Sequence, residues 1–355
     1  MIRRWFAILF GALILLCAIP VTYVETSCTA STVVERTPSR FVVQEDYYRR
    51  AQGDSFLTFP EWYIVHAYAD LAGVTRQSSE SAFNYVSSIL GFWRSLCDTT
   101  NAAMRSGPVT LDQKITNYII GISFTAELVV IGLYERTIGA TTAWVRGATR
   151  TGEDAFALEA AENYAAFLRQ TPWYEYPFGD QLRRFWRDTP WGQGNRVRGA
   201  ERRFALTLQY GGKSLYAAAL GALAGYSPAD LRIMSVVSHL TPEDLTSEPR
   251  IKRLRDLDPE TTLIETPRYR EFTRILRIMA GRGVDVLEIA GNQRILVTIL
   301  ARENMIPGGT LTFSIPIQSR PGWRRFGLDV PVSGLTRLIR DVEQQGAEFE
   351  HAYDY

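Results

Sequence analysis

Near the N-terminus, residues 5–24 form an uncharged apolar run, WFAILFGALILLCAIPVTYV, that limits how the rest of the chain can be placed. As a helix, these twenty residues span about 30 Å, the thickness of the hydrocarbon layer of a bilayer. Arg3 and Arg4 precede the run and Glu25 follows it, and positive charge tends to remain on the cytoplasmic side. The sequence therefore predicts a single-pass anchor in a bacterial inner (cytoplasmic) membrane. Residues 1–4 form a cytoplasmic stub, and the body is exported to the periplasm or the cell exterior.

A cleaved secretory signal is the alternative interpretation of the same residues. Such signals have an apolar region of about 7 to 15 residues that ends at small side chains. Here the run is longer, and Tyr23, Val24 and Glu25 stand where the cleavage site would lie. These departures favour an uncleaved signal anchor.

Length, charge and cysteine content limit what the body can be. The 355 residues are enough for two domains, and the net charge of +1 gives no general attraction for nucleic acid. Cys17 lies in the predicted anchor, so Cys28 and Cys97 are the pair that an oxidising compartment could join. The favoured interpretation of Cys97 is a packed thiol, because it continues an apolar stripe with helical spacing that consists of Phe83, Val86, Leu90 and Trp93.

Composition and periodicity divide the body into two parts. Residues 25–44 have no clear period and are predicted to be a linker, whereas residues 45–240 show several helical patterns and form a mainly helical domain. Residues 241–259 are charged and carry prolines, which indicates a second linker. In residues 260–355 the pattern is β-α-β-β-β-α-β, typical of a ferredoxin-like sandwich with one additional strand. The predicted fold class is therefore α+β, with a transmembrane helix at the N-terminus.

A second apolar segment, residues 115–133, allows two topologies. Thr116, Ser123 and Glu127 share one helical stripe, and apolar residues cover most of the remaining circumference. The segment is either a membrane span with a functional carboxylate or the central helix of a soluble bundle in which Glu127 pairs with an arginine. The bundle is favoured because a carboxylate in mid-membrane is costly. A three-span protein, with residues 205–225 also in the bilayer, is the corresponding alternative.

Aromatic and basic residues are interleaved between residues 172 and 203. Tryptophan and tyrosine favour the membrane interface, and the residues expected there are Trp173, Tyr174, Trp186 and Trp191. Residues 183–203 hold seven arginines against Asp188 and Glu201, a local balance of 7 − 2 = +5, which suits anionic headgroups. A solvated arginine face over an aromatic core fits the same residues equally. Single-stranded nucleic acid is disfavoured because no RNA- or DNA-binding module accompanies them.

Familiar catalytic motifs do not occur in the sequence. It contains no H-E-x-x-H, C-x-x-C or G-x-S-x-G motif. Gly212-Lys213-Ser214 resembles the end of a phosphate loop, but the required glycine five positions earlier is Thr207. No cofactor is implied by any motif.

The remaining polar residues provide two candidate sites. His66 and Asp70 are four residues apart on one helical face. The candidate catalytic groups are His66, Asp70 and Glu127, and the candidate metal ligands are Glu61, His66 and Asp70. The competing interpretation is a buried imidazole that a carboxylate satisfies. A predicted loop around Trp323 holds the candidate anion-binding residues Arg320, Arg324 and Arg325.

These patterns favour a membrane-anchored, exported protein that acts as an envelope interaction or assembly module and lies against the bilayer. One alternative is an exported metal- or small-ligand-binding enzyme that uses His66 and Asp70. Another is the three-span protein, in which Glu127 is functional inside the membrane. The expected partners are the lipid bilayer and an envelope protein, without nucleic acid. The sequence specifies no oligomeric state.

Overall fold

A computed structural model describes residues 18–28, 42–43, 45–221, 231–305 and 308–355. Within these ranges the chain combines helices with two antiparallel sheets, so the α+β class is confirmed. Most of the predicted anchor and most of the predicted linker at 25–44 lie outside the described residues.

Helices form the first part of the described chain. Helix α1 covers residues 18–27. It is followed by α2 Asp54–Leu57, α3 Phe59–Gln77, α4 Tyr85–Met104, α5 Leu111–Tyr134, α6 Ala140–Arg146, α7 Gly152–Phe167, α8 Phe178–Asp188 and α9 Arg196–Gly221. A π-helical turn, Glu135–Gly139, joins α5 to α6, so that Leu111–Arg146 is one long rod.

Local chemistry explains where the long helices begin. Pro60 lies in the first turn of α3, where its missing N–H is not needed. The Asn84 side chain caps α4 by accepting a hydrogen bond from the backbone N–H of Ser87 at 3.1 Å. Gly73 lies inside α3 and allows a close contact with Ser319. A β-carbon at Gly73 would lie 2.6 Å from Cβ of Ser319.

A disulfide joins the end of α1 to the helical part. Cys28 is bonded to Cys97 of α4, and their Cα atoms are 5.2 Å apart. The expectation of a free thiol at Cys97 is therefore wrong, although the residue is buried as its apolar stripe indicates. Next to the disulfide, Glu25 pairs with Lys114 at 2.6 Å and accepts a hydrogen bond from the Tyr118 hydroxyl at 2.5 Å. Residues 25–28 are consequently held against α4 and α5.

Eight strands form two four-stranded antiparallel sheets. The first sheet, in the order β2-β3-β1-β4, contains β1 Arg232–Ser238, β2 Lys252–Asp256, β3 Thr261–Pro267 and β4 Asp285–Ile289. The second sheet, in the order β6-β7-β5-β8, contains β5 Arg294–Arg302, β6 Thr310–Pro316, β7 Trp323–Pro331 and β8 Glu348–Tyr353. The accompanying helices are α10 Pro242–Ser247, α11 Tyr269–Arg282 and α12 Leu335–Gln344. The two sheets therefore repeat one strand order.

This arrangement differs from the single sandwich expected at residues 260–355. Strand β1 lies in the segment assigned to the helical domain, and residues 241–259, the expected second linker, contain α10 and β2. Strands β3 and β4 both pair with β1, so they belong to a different sheet from β5. The central position suits β1 because both of its faces are buried, with Ile233 in one hydrophobic cluster and Val236 in another.

The second sheet is covered on both faces. On one face, Val297 packs in a core shared with α11, α12 and the first sheet. On the other face, Leu296 joins the core of the helical part. There Phe59 of α3 lies over Phe313 of β6, with 4.1 Å between ring centroids. Helix α3 therefore packs directly on the second sheet.

Candidate functional site

His66 lies at the contact between α3 and the second sheet and is only 8% exposed. Its Nε2 is 3.2 Å from the hydroxyl of Tyr353, which in turn is 3.0 Å from Oγ1 of Thr298. Its Nδ1 is 3.5 Å from Oε1 of Glu350. The imidazole therefore connects α3 to β8 and β5 within the packed interior.

Charges around His66 are paired. Arg325 of β7 donates two hydrogen bonds to the Glu350 carboxylate, at 2.5 and 2.7 Å. Burial opposes ionisation of Glu350, but the adjacent Arg325 outweighs it and lowers the pKa of Glu350 to about 2. Burial and the Arg325 charge together hold the pKa of His66 well below its ordinary value of 6.5. The neutral His66 imidazole and the paired Glu350 carboxylate therefore connect α3 to β8.

The three candidate metal ligands do not come together. Asp70 accepts hydrogen bonds from the backbone N–H groups of Gln318 and Ser319, at 2.8 and 3.0 Å, and from the Ser319 hydroxyl. Glu61 is exposed near the start of α3. Across the ranges that the structure describes, no group of three or more His, Cys, Asp or Glu side chains is placed to hold a metal ion. Asp70 instead ties the β6–β7 connection to α3.

His351 of β8 is a second buried histidine. The Trp62 ring lies over it, with 3.7 Å between centroids. Its Nδ1 is 2.9 Å from the hydroxyl of Thr273, and its Nε2 has no hydrogen-bond partner among the described residues. Burial lowers the pKa of His351 to about 3. The histidine is therefore neutral in the folded protein near neutral pH.

The buried His351 predicts loss of stability in acid. Unfolded, the imidazole titrates near 6.5, whereas folded it stays neutral down to about 3, so between these values the unfolded state binds more protons. The free energy of unfolding should consequently fall as pH decreases through this range. In His351→Gln, the difference in this free energy between pH 7 and pH 4.5 should shrink by about 2 to 3 kcal/mol. Denaturant titrations at both pH values measure it. An equal effect of His239→Asn, at an exposed histidine, would contradict the assignment.

Glu127 pairs with a lysine and not with the expected arginine. Nζ of Lys213 in α9 is 2.6 Å from Oε1 of Glu127. The same ammonium group lies 4.8 Å from the ring centroids of both Tyr68 and Tyr164. Glu127 is the one charged residue of 115–133, and Lys213 is the one charged residue of 204–221. The two apolar segments therefore pair their charges with each other.

Helix α9 runs antiparallel to the rod formed by α5, the π-helical turn and α6. Residue numbers fall along α9 as they rise along the rod. Four contacts show this register: Glu127 with Lys213 (2.6 Å), Glu135 with Arg202 (2.8 Å), Thr142 with Glu201 (3.0 Å), and the Val145 carbonyl with the Asn195 side chain (3.1 Å).

The inner side of this helix pair contains an interior ion cluster, defined here as Glu80, Glu135, Asp154, Arg198, Glu201 and Arg202. At its centre is Arg198, which is fully buried. Its guanidinium contacts Asp154 at 2.8 Å and both Glu201 and Glu80 at 2.9 Å. Nearby, Arg203 pairs with Glu153 at 2.9 Å. Three of the seven arginines expected on a basic surface are therefore inside the protein: Arg198, Arg202 and Arg203.

The outer side of the same helices is apolar. We call this surface the outer apolar face; its large exposed side chains are Ile115, Ile119, Val130 and Leu133 of α5, and Val197, Phe204, Leu208 and Leu215 of α9. Among the described residues, the rod Leu111–Arg146 is the one helix long and apolar enough to cross a membrane. Of its most apolar window, 39% is buried in the protein. Length and composition alone are shared with core helices of soluble proteins.

The aromatic residues expected at a membrane interface fall into two classes. Trp186 and Trp191 are exposed, at 53% and 63%. Trp173 and Tyr174 are half-buried and pack against the core of the helical part. The first two therefore present their rings at the surface.

The candidate anion-binding arginines are spread over separate contacts. Arg320 pairs with Glu348 at 2.7 Å and stacks on Trp323. Arg324 donates to the Ser314 hydroxyl at 2.7 Å, and Arg325 pairs with Glu350. Arg324 and Arg325 belong to β7 and point to opposite faces of the second sheet. The three side chains thus do not converge on one anion.

Gly139 in the π-helical turn makes room for the interior ion cluster. A β-carbon at this position would lie 2.1 Å from Oε2 of Glu135. Gly139→Ala is expected to displace Glu135 from Arg202 and lower the free energy of unfolding by about 1 to 3 kcal/mol, although alanine favours helix. Gly212→Ala in α9 is the control, because no heavy atom lies within 4 Å of its added Cβ. Denaturation midpoints compare the two variants, and equal midpoints would contradict the argument.

Comparisons with protein-family models, with curated protein sequences and with solved structures find no match to this chain. Its function is therefore inferred from the arrangement of its own residues.

Proposed function

We propose that this chain is a membrane-anchored, exported protein whose helical part lies against the bilayer and carries the two-sheet part as an envelope interaction or assembly module. The observation that carries the proposal is the polarity of the two helices α5 and α9. Glu127 pairs with Lys213 and Glu135 with Arg202 towards the interior, whereas the large exposed side chains of both helices form the outer apolar face. Asp112 and Arg196, in the first turns of α5 and α9, are exposed charges at the helix ends.

A water-soluble bundle has the opposite polarity, with an apolar stripe inside and charges outside. Ionisable residues in membrane helices face the protein interior and pair with one another, as Glu127 and Lys213 do here. From Ile115 to Leu133 the outer apolar face is about 27 Å long at 1.5 Å per residue. On α7, by contrast, exposed positions include Glu159 and Asn163, which suit water. The lipid-facing surface is thus one-sided.

The disulfide supports the location and the tether. Disulfides persist in oxidising compartments such as the bacterial periplasm, so the Cys28–Cys97 bond suits a body outside the cytoplasm. The bond and the Glu25–Lys114 pair hold the end of the apolar N-terminal run beside α5. An anchor ending there would bring the outer apolar face close to the membrane surface.

For the two-sheet part we propose two ferredoxin-like units in tandem. In the first unit, the elements follow the order β1-α10-β2-β3-α11-β4, which is the β-α-β-β-α-β pattern of that fold. The second unit repeats the strand order, and the described residues between β5 and β6 contain no helix. This architecture hosts many functions, so the assignment to an interaction module follows from its tethering and not from the fold.

Cysteine accessibility tests the proposal. In a full-length Cys17→Ala background, single cysteines replace Val130, Phe204 and, as the control on α7, Asn163. A membrane-impermeant maleimide applied to spheroplasts should label Asn163→Cys and leave Val130→Cys and Phe204→Cys unlabelled until the protein is denatured. Equal labelling of all three in folded protein would contradict a lipid-facing outer apolar face.

The same experiment separates the three-span alternative. In that topology, the segment between residues 133 and 205 lies in the cytoplasm, and Glu127 is inside the membrane. Asn163→Cys would then react only after the membrane is opened. Reporter fusions near residue 170 and at the C-terminus give an independent reading, because a single span places both outside.

The alternative of an enzyme that uses His66 and Asp70 gains no support from the geometry. Asp70 is occupied by backbone N–H groups of residues 318–319, and His66 faces Tyr353 and Glu350 in the interior. Metal analysis of purified full-length protein and of His66→Ala tests this alternative. A stoichiometric metal in wild-type protein that is lost in the variant would support it.

A further inference from the structure

An open groove of about 750 Å³ lies between α8 and α9. Its walls include Leu182, Arg183, Trp186 and Arg187 from α8, and Gly211 and Leu215 from α9. We infer that this groove binds one anionic phospholipid of the bilayer, with the phosphate between Arg183 and Arg187 and an acyl chain along Leu182, Trp186 and Leu215. The inference rests on the proposed function, because it takes its ligand from the membrane that the outer apolar face contacts.

The cationic end of the groove suits a phosphate. Arg183 and Arg187 are four residues apart and so project from the same side of α8. They pair with Asp180 and Asp188, and all four side chains are largely exposed. Exposed pairs of this kind contribute little to stability, and arginine binds phosphate through bidentate hydrogen bonds, so a phosphate can replace either carboxylate. No carboxylate is among the described residues that line the groove.

The remainder of the groove suits an acyl chain. Leu215 is 79% exposed and belongs to the outer apolar face, so the groove opens onto the surface proposed to contact lipid. The Trp186 indole donates a hydrogen bond to the Thr207 hydroxyl at 3.1 Å, which orients its ring. Gly211 leaves the floor open, because no heavy atom lies within 4 Å of a Cβ built there.

Two adjacent glycines of α9 give a matched test. Gly211 lines the groove, whereas Gly212 is equally open and does not line it. Native mass spectrometry of the full-length chain in mild detergent measures the binding of phosphatidylglycerol and phosphatidylcholine. We expect wild-type protein to bind phosphatidylglycerol at least tenfold more tightly than phosphatidylcholine. Gly211→Leu should lose this binding at least tenfold, and Gly212→Leu should stay within twofold of wild type.

Charge variants test the phosphate end. The double variant Arg183→Gln/Arg187→Gln should bind the two lipids equally, whereas Arg253→Gln, at an exposed ion pair on β2, should keep the preference. Glycerol 1-phosphate should compete at least a hundredfold more weakly than the intact lipid, and equal competition would indicate a soluble phosphate ligand and overturn the lipid assignment. Equal affinities of wild type for both lipids, or equal effects of the two glycine variants, would overturn it as well. Because binding is measured in detergent, these outcomes are independent of whether labelling in spheroplasts supports the proposed function.

Discussion

Replacing Arg198 with methionine is expected to lower the free energy of unfolding by about 3 to 5 kcal/mol. The guanidinium is fully buried and contacts three carboxylates, those of Glu80, Asp154 and Glu201. Methionine fills part of the same space but leaves these acids with too little positive charge in a region of low dielectric constant. Removing one partner of a buried ion pair is far more costly than the net value of the intact pair, because the remaining charge is buried without compensation.

The control for Arg198 is another arginine on a helix. Arg76 of α3 pairs with Glu162 at 2.8 Å, but its side chain is 66% exposed. Arg76→Met should therefore cost less than about 1 kcal/mol. Denaturant unfolding in mild detergent, followed by tryptophan fluorescence, measures both variants. Similar losses for Arg76→Met and Arg198→Met would show that the interior ion cluster is more hydrated than the structure indicates.

Loss of the disulfide is expected to lower the free energy of unfolding by about 4 kcal/mol. Cys28 and Cys97 are 69 residues apart in the chain, and the bond restricts the unfolded chain according to the logarithm of this loop length. Folded protein without the bond also loses the covalent connection between α1 and α4. The measurement compares denaturation midpoints of wild-type protein with and without a reducing agent, at otherwise identical conditions.

The double variant Cys28→Ala/Cys97→Ala is the control for that experiment. Its midpoint should match reduced wild type and should not respond to the reducing agent. Unfolded, unreduced wild-type protein should expose one reactive thiol per chain, since the chain contains three cysteines and two of them are joined. A wild-type midpoint that does not change on reduction would contradict the predicted contribution.

Elements with one buried face could be predicted from the sequence. The stripe of α11, with Phe272, Ile275 and Met279, is buried as its spacing indicates, and Gly283 ends the helix in the left-handed conformation at φ 78°. In such elements a local period repeats the side that faces the core, so a single window of sequence is sufficient. The last strand of the pattern predicted for residues 260–355 is present as β8, but both of its faces are buried, because Ala352 and Tyr353 are both fully buried.

Strand β7 shows where local patterns are insufficient. The loop predicted around Trp323 is wrong, because Trp323, Arg324 and Arg325 are the first residues of this strand, which also contains Gly327. In the fold, Gly327 lies against the Phe313 ring, and a Cβ there would come within 2.2 Å of that ring. Arg325 is buried because Glu350 of β8 neutralises it. The need for Gly327 and the burial of Arg325 thus both depend on residues from other strands.

The candidate site shows the same difference between local patterns and contacts from distant elements. The spacing of His66 and Asp70 placed both on α3, and both are buried, but their partners come from the second sheet and the β6–β7 connection. The arginines between 183 and 203 were expected on a surface, and three of them are inside because carboxylates from distant helices reach them.

Local sequence is enough to identify the long apolar run at residues 5–24, the helical and alternating periods, and the apolar character of 115–133 and 204–221, because these are properties of neighbouring residues. The pairing of Cys28 with Cys97, the pairing of Glu127 with Lys213, and the inward position of Arg198, Arg202 and Arg203 follow from the packed fold alone. These outcomes depend on which helices pack side by side. A buried charge is tolerated only where the fold supplies its counterion, and no local period contains that information.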